Sequence, residues 1–183
     1  MSLSRRHLAI AAVALAALVA LVALVAAAAL RPGWPAGGLA SAPQVDYTLL
    51  DGQRHNTAEL KGQVVLVNFW ATSCSSCVAE MPEITATHQK FKALGFRTLA
   101  VAVQSDPPAL VAEFAQRRQL PFGVVIDNTG EIARRFGDVQ LTPTSFLINR
   151  RGEIVKHYVG TPDFAALQAL VARLLAEVTP ADA

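Results

Sequence analysis

The sequence predicts an α/β domain closed by a hairpin and a helix, preceded by one membrane-spanning helix. Three observations predict it. Apolar runs of strand length recur at residues 64–70, 96–103 and 122–127, separated by stretches with helical start and stop signals. A turn at Arg150-Arg151-Gly152 joins residues 145–149 to 153–158 as a hairpin. Residues 162–178 then carry Phe164, Leu167, Leu170, Val171, Leu174 and Val178 on one helical face, a core-packing stripe. Residues 8–30, finally, are only Ala, Leu, Val and Ile, and a helix of that length spans about 34 Å, enough to cross the hydrocarbon core of a bilayer.

The 183 residues fit one ordinary domain plus this extra segment. Arg5 and Arg6 precede the apolar run, so the positive-inside rule places residues 1–7 in the cytoplasm, the anchor at 8–30 and everything after Arg31 outside. A cleaved signal sequence is the alternative. Secretory apolar cores are shorter, however, and Pro43 directly after Ala40-Ser41-Ala42 is a poor neighbour for a peptidase. The Arg5-Arg6 pair also fits a twin-arginine export signal, which delivers the domain to the same side. Residues 31–42, rich in Pro, Gly and small side chains, read as a linker with Trp34 at the membrane interface, and residues 43–183 as the folded domain. The net charge is +2, only 16% of residues are charged, and Arg117-Arg118, Arg134-Arg135 and Arg150-Arg151 are isolated pairs. Nothing here forms a nucleic-acid surface.

Within the domain, residues 45–50 alternate and Asp51-Gly52 turns them back as a hairpin. Thr57 is placed to cap a short turn through Leu60, ended by Lys61-Gly62. The apolar strand 64–70 follows, then a helix from about Cys74 to Leu94 with Gly95 as terminator; Pro82 lies inside it and is expected to kink it. After strand 96–103, Pro107-Pro108 opens a helix to about Arg118 with Asp106 as its N-cap. Strand 122–127 and a short helix 129–136, ended by Gly137, complete the middle of the chain. His88 has no supporting motif and reads as a surface residue.

Cys74 and Cys77 are the only cysteines. They follow a strand and a Thr72-Ser73 turn and open a helix. Unpaired backbone N–H groups and the positive helix end favour an anion at Cys74. That lowers the thiol pKa and yields the thiolate that attacks disulfides, with Cys77 one turn on to resolve the mixed disulfide. A zinc site needs a second ligand pair, and His7, His55, His88 and His157 offer none at metal-binding spacing. A purely structural disulfide would close a loop too short to constrain the unfolded chain much. Redox chemistry is the reading, with no metal and no cofactor. Trp70 is expected to flank the site as a substrate contact, shielding the disulfide while packing on the core. Thr142-Pro143-Thr144, just before a strand, is a candidate cis peptide that would leave the Thr142 backbone free to pair with a substrate strand; an ordinary trans turn proline fits the sequence equally.

The stretch WATSCSSCVAEMP, preceded by GQVVLVNF and the Asp51-Gly52 hairpin, resembles the TlpA/ResA/CcmG-like family of membrane-anchored thioredoxins, as does LTPTSFLINRRGEIVKHYVG. The resemblance covers roughly residues 45–178. It implies a thioredoxin fold, a central mixed sheet flanked by helices, with an added N-terminal β-hairpin and an insertion after the central strand–helix unit. It also implies that Cys74 and Cys77 are the redox-active disulfide, Pro143 the cis-proline, and Glu80 the family's acidic residue. Glu80 lies one helical turn beyond Cys77, so the two can share a face, and a partly buried carboxylate there could shuttle a proton to or from the thiol. The family often places Pro or a large or charged residue between the cysteines; here Ser75 and Ser76 stand instead, which bears on the reduction potential.

The resemblance further implies a thiol–disulfide oxidoreductase in the bacterial inner membrane, its redox domain periplasmic. Its clients would be disulfide-containing proteins such as apocytochrome c or copper-site proteins, and its electron donor a transmembrane carrier of the DsbD/CcdA type. The same residues serve an oxidant or a reductant. Two alternatives differ in class. A peroxiredoxin-like peroxidase expects Thr three residues before its cysteine, where this chain has Ala71. A copper metallochaperone would combine the two thiolates with a histidine such as His157, though related copper carriers space their cysteines more widely.

Overall fold

The computed structural model describes residues 39–177; the expected cytoplasmic segment, anchor and most of the linker lie outside them. Among the described residues no helix is long and apolar enough to cross a membrane.

Fourteen segments follow one another in the order short strand, hairpin, then alternating strand and helix. Strand β1 is Ala40–Ser41, β2 Asp46–Thr48, β3 Arg54–Asn56, β4 Val64–Trp70, β5 Phe96–Ala102, β6 Gly123–Ile126, β7 Thr144–Ile148 and β8 Glu153–Val159. The α-helices are α1 Ser75–Phe91, α2 Pro108–Arg118, α3 Glu131–Arg135 and α4 Phe164–Leu175. Six strands form one mixed sheet in the order β1-β8-β7-β4-β5-β6, and β2-β3 form a separate hairpin. The parallel pairs are β4–β5 and β5–β6, and the antiparallel ones β4–β7, β7–β8 and β8–β1. This is the thioredoxin fold expected from the sequence, with α2, β6 and α3 set between its two halves.

β4 is central, and all seven of its residues are buried. That is why it reads as an unbroken apolar run: a strand covered on both faces has no solvent side to make polar. On one face Val64, Leu66 and Trp70 pack with Met81, Ile84 and Phe91 of α1, Val111 of α2, and Leu167, Val171 and Leu174 of α4. On the other, Val65, Val67 and Phe69 pack with Val45 just before the hairpin, Tyr47 of β2, Ile132 of α3 and Phe136 just after α3. The hairpin docks beside β6, where Leu49 bridges Val125. A Cβ at Gly123 would stand 3.0 Å from the Leu49 side chain, so glycine is what admits that close approach.

α1 runs through Pro82 as one helix, and Gly95, at φ +95°, ends the short 3₁₀ turn that follows. Several local expectations are corrected. Asn56, not Thr57, caps the turn Thr57–Leu60, in a reciprocal box with Glu59. Thr57 instead bonds Val45 N and Pro43 O, tying the hairpin to the segment before it. α2 begins after Pro107 with no side-chain cap, because the Asp106 carboxylate is engaged elsewhere. His88 is buried, not on the surface; its Nδ1 lies 3.2 Å from the Thr98 hydroxyl, and its ring lies against Phe96 and Phe122. Burial, with Lys92 and Arg97 nearby, holds its pKa below the usual histidine range. The last helix stops at Leu175, short of Val178.

The second face has one tightly coupled aromatic cluster. Phe69 meets Phe136 at 5.5 Å and Phe146 at 6.0 Å, ring centre to ring centre, in edge-on contacts. Truncating it at a site with no exposure leaves a cavity between β4, β7 and α3. Phe69→Ala is expected to lower unfolding free energy by about 3–5 kcal/mol, read as a shifted denaturant midpoint at unchanged slope.

Candidate active site

The site begins where β4 runs out. Beyond Trp70 the chain makes a tight turn in which the Cys74 N–H donates to the Ala71 carbonyl at 3.2 Å, and α1 starts at Ser75. Cys74 is the N-cap of this 17-residue helix. Its sulfur accepts the Cys77 N–H at 3.2 Å, and the Ser76 hydroxyl lies 3.4 Å away. No acidic residue occupies the first turn. The helix end therefore keeps its full preference for an anion at the Cys74 position.

Cys74 and Cys77 are joined as a disulfide. Cys74 is half-buried, whereas Cys77 has no exposure and belongs to the core beneath the helix. The two sulfurs are thus unequal in access, which is the arrangement an attacking and a resolving thiol require.

The Thr142–Pro143 peptide bond is cis. The Thr142 carbonyl lies 3.7 Å from Cys74 Sγ, so this segment does sit against the disulfide. Pro143 is buried and its carbonyl accepts the Gly160 N–H at 2.8 Å, fixing it to the end of β8. Thr142 is half-exposed, beside a groove of about 460 Å³ lined by Ser73, Cys74, Gln104, Ser105, Arg134 and Thr142 among others.

Glu80 is 3% exposed. It follows Cys77 by three residues on the same buried helix face. Its Oε1 accepts from Asn68 Nδ2 at 3.1 Å, and that same amide nitrogen donates to Ser145 Oγ at 2.9 Å. Glu80 Oε2 and Asn68 Oδ1 are buried and accept no hydrogen bond. An ionised carboxyl here has one firm donor for four lone-pair sites. Burial accordingly raises the Glu80 pKa above the usual carboxylate range. The Thr161 hydroxyl, from a position that closes no full hydrogen bond, and the Asn68 amide both pull the other way.

Trp70 packs on the core beside the cysteines as expected, but it offers no surface for substrate. Its side chain is completely buried, 5.0 Å from the Phe114 ring and in the same core cluster as Cys77, with no partner for Nε1. As the last residue of a strand covered on both faces, it shares the buried cluster of Cys77 and has no exposed surface. His157 is also elsewhere. It pairs across the sheet with Phe146 and stacks on that ring at 4.3 Å, on the face opposite Cys77. The thiols and His157 therefore do not converge on one metal.

Sequence reasoning missed four polar residues: Asn68, Ser145, Asp106 and Thr72. Only Asn68 left a local signal, as the one polar residue in an otherwise apolar strand. Asp106 is buried and accepts two hydrogen bonds from Thr72, pairings that join loops far apart in sequence.

The Redoxin family model matches residues 38–171. A thiol–disulfide oxidoreductase, ResA, of Geobacillus kaustophilus is 35% identical over 122 residues, covering 67% of this chain and 69% of its own. A solution structure of a putative thioredoxin from Neisseria meningitidis is 40% identical and superposes with a TM-score of 0.69, covering 74% of this chain and 90% of that one. The crystal structure of a putative thiol:disulfide interchange protein, DsbE, from Chlorobium tepidum is 30% identical with a TM-score of 0.68, covering 75% and 97%. With its fold, its disulfide at a helix start and these relatives, the chain belongs to the Redoxin family, among the TlpA/ResA/CcmG-like thioredoxins, and is a thiol–disulfide oxidoreductase.

Proposed function

We propose that this oxidoreductase reduces disulfides in client proteins from the outer side of a bacterial inner membrane, held there by residues 8–30. The observation that carries the reading is the unequal pair: half-buried Cys74 on the helix end, and Cys77 sealed in the core beside Glu80. In the reduced protein the Cys74 thiolate attacks one sulfur of the client disulfide. A Cys74–client disulfide forms and the client's other sulfur leaves as a thiolate. Cys77 then gives its proton to the Glu80 carboxylate and attacks Cys74 Sγ. The second client sulfur leaves, the Cys74–Cys77 disulfide closes, and the client has gained two electrons. Thr142, with its backbone beside Cys74, pairs with the client chain in the groove, and Pro143 fixes that backbone in place.

The resting disulfide must be reduced again, and the external compartment is oxidising. A transmembrane carrier of the DsbD/CcdA type is the proposed donor, with apocytochrome c or copper-site cysteines as the client class. The relatives support the exchange chemistry, since one is called a thiol–disulfide oxidoreductase and another a thiol:disulfide interchange protein. The reduction potential of the full chain decides the direction. A value near or below about −270 mV supports a reductase, whereas one nearer about −120 mV makes the protein an oxidant.

Two further outcomes are expected. Cys77→Ser should accumulate a mixed disulfide between Cys74 and a client protein, visible as a reductant-sensitive adduct by mass, and Cys74→Ser should form none. Glu80 sets a pH dependence whose sign follows from its raised pKa. Below the ordinary glutamate value the folded and unfolded chains are both protonated there, and Glu80 costs nothing. As pH rises from about 4.5 through the raised value, the unfolded chain ionises first and stability falls. Glu80→Gln removes that loss in denaturation curves across this window. The same variant slows disulfide closure by about a hundredfold and flattens its pH profile.

A further inference from the structure

We propose that Asp106 is a positioning residue for Cys74: its buried carboxylate ties the turn that carries the nucleophile to the loop that walls the client groove. Asp106 is 3% exposed, and none of the ion pairs among the described residues includes it. A buried carboxylate without a cation needs strong hydrogen bonds to be tolerated. Both oxygens have one. Oδ2 accepts the Thr72 N–H and Oδ1 the Thr72 hydroxyl, each at 2.6 Å. These are the short distances of charge-assisted bonds.

Their place in the sheet gives them meaning. The parallel register of β4 and β5 ends at Trp70 and Ala102. One further backbone bond, Val103 N–H to the Trp70 carbonyl at 3.0 Å, extends it. There the strands part: one enters the Cys74 turn, the other folds back with Asp106 N–H on the Val103 carbonyl at 2.9 Å. The Asp106 side chain then does what the backbone no longer can, joining the two loops one step beyond the last ladder bond. Thr72 is two residues before Cys74. Gln104 and Ser105, just before Asp106, line the groove that Cys74 opens into. On its other side Thr72 borders a second groove, with Leu110, Phe114 and Arg117 of α2. The joint therefore sets where the sulfur stands relative to both walls. Attack on a disulfide needs in-line approach, so freeing the turn should cost rate even where the fold persists.

The inference rests on exchange through Cys74, and the test separates the two. The full chain is reduced and mixed with the small disulfide 5,5′-dithiobis(2-nitrobenzoate), and the rate of the first exchange is followed to its plateau above the thiol's titration. Asp106→Asn, which can no longer accept from both donors, and Thr72→Val, which keeps the shape but loses the hydroxyl, should each lower the plateau rate about tenfold. Thr72→Ser, which keeps both donors, should retain it. If Asp106→Asn does not fold, Thr72→Val decides by itself. A lower melting temperature in the variants with plateau rates equal to the parent's makes the joint purely structural and overturns the proposal. A parent chain that fails to exchange at all overturns the role of Cys74 instead.

Discussion

Everything at the active end depends on burying β4 on both faces. A thiol at a helix end is useful only if that end does not move, and α1 alone does not hold itself still, since most of a helix's stability comes from tertiary packing of its apolar face. β4 is locked between β5 and β7 and covered by helices on one side and by the hairpin and α3 on the other. The strand ends abruptly at Trp70, whose fully buried indole fills the space beneath the turn. From that fixed point only three residues lead to Cys74. The geometry of the sulfur is thus inherited from the sheet across a very short span.

The same burial imposes a cost, and the site is built from it. Asn68 sits in the middle of β4 with no exposure, the one polar residue of an otherwise apolar strand. It holds the Glu80 carboxyl through one N–H and the Ser145 hydroxyl of β7 through the other. Two acceptors in this group remain unmatched, which penalises the ionised form of Glu80 and favours the neutral acid. A carboxyl whose charge is disfavoured, one helical turn from a buried sulfur, is a better proton acceptor than an exposed one. The chain gives up some stability at Asn68 and Glu80 to hold that property, in keeping with strain and unmatched groups gathering at reactive sites.

Elements set by short-range pattern were readable from sequence. The run at residues 64–70, the Asp51-Gly52 turn and the stripe on α4 each follow from side-chain periodicity or local turn chemistry, and they fixed the order of strands and helices. Cys74 and Cys77 were legible for the same reason, because helix-start electrostatics acts over one turn. What failed was assignment by local analogy. Asp106 before two prolines looks like a helix cap, and Thr57 before a short helix looks like one too. Both are drawn away by partners 34 and 14 residues distant. His88 looked like a surface residue because nothing nearby marks the pocket made by Thr98, Phe96 and Phe122.

Trp70 shows the limit of reading a site from proximity in sequence. A large aromatic four residues before a reactive cysteine invites the idea of a contact surface, and an indole is well suited to one. Strand geometry decides otherwise. Alternation puts Trp70 on the same face as Val64 and Leu66, beneath α1, α2 and α4, and that face has no solvent side. The groove beside Cys74 is instead lined by residues that reach the rim from elsewhere: Thr142 beside the cis bond, and the loop before α2. These two walls belong to different halves of the fold and come together at the turn that carries Cys74. The position of the sulfur is therefore set by how firmly each wall is joined to the turn between them, which makes the polar joint at the end of β4 as consequential for the site as the apolar core beneath it.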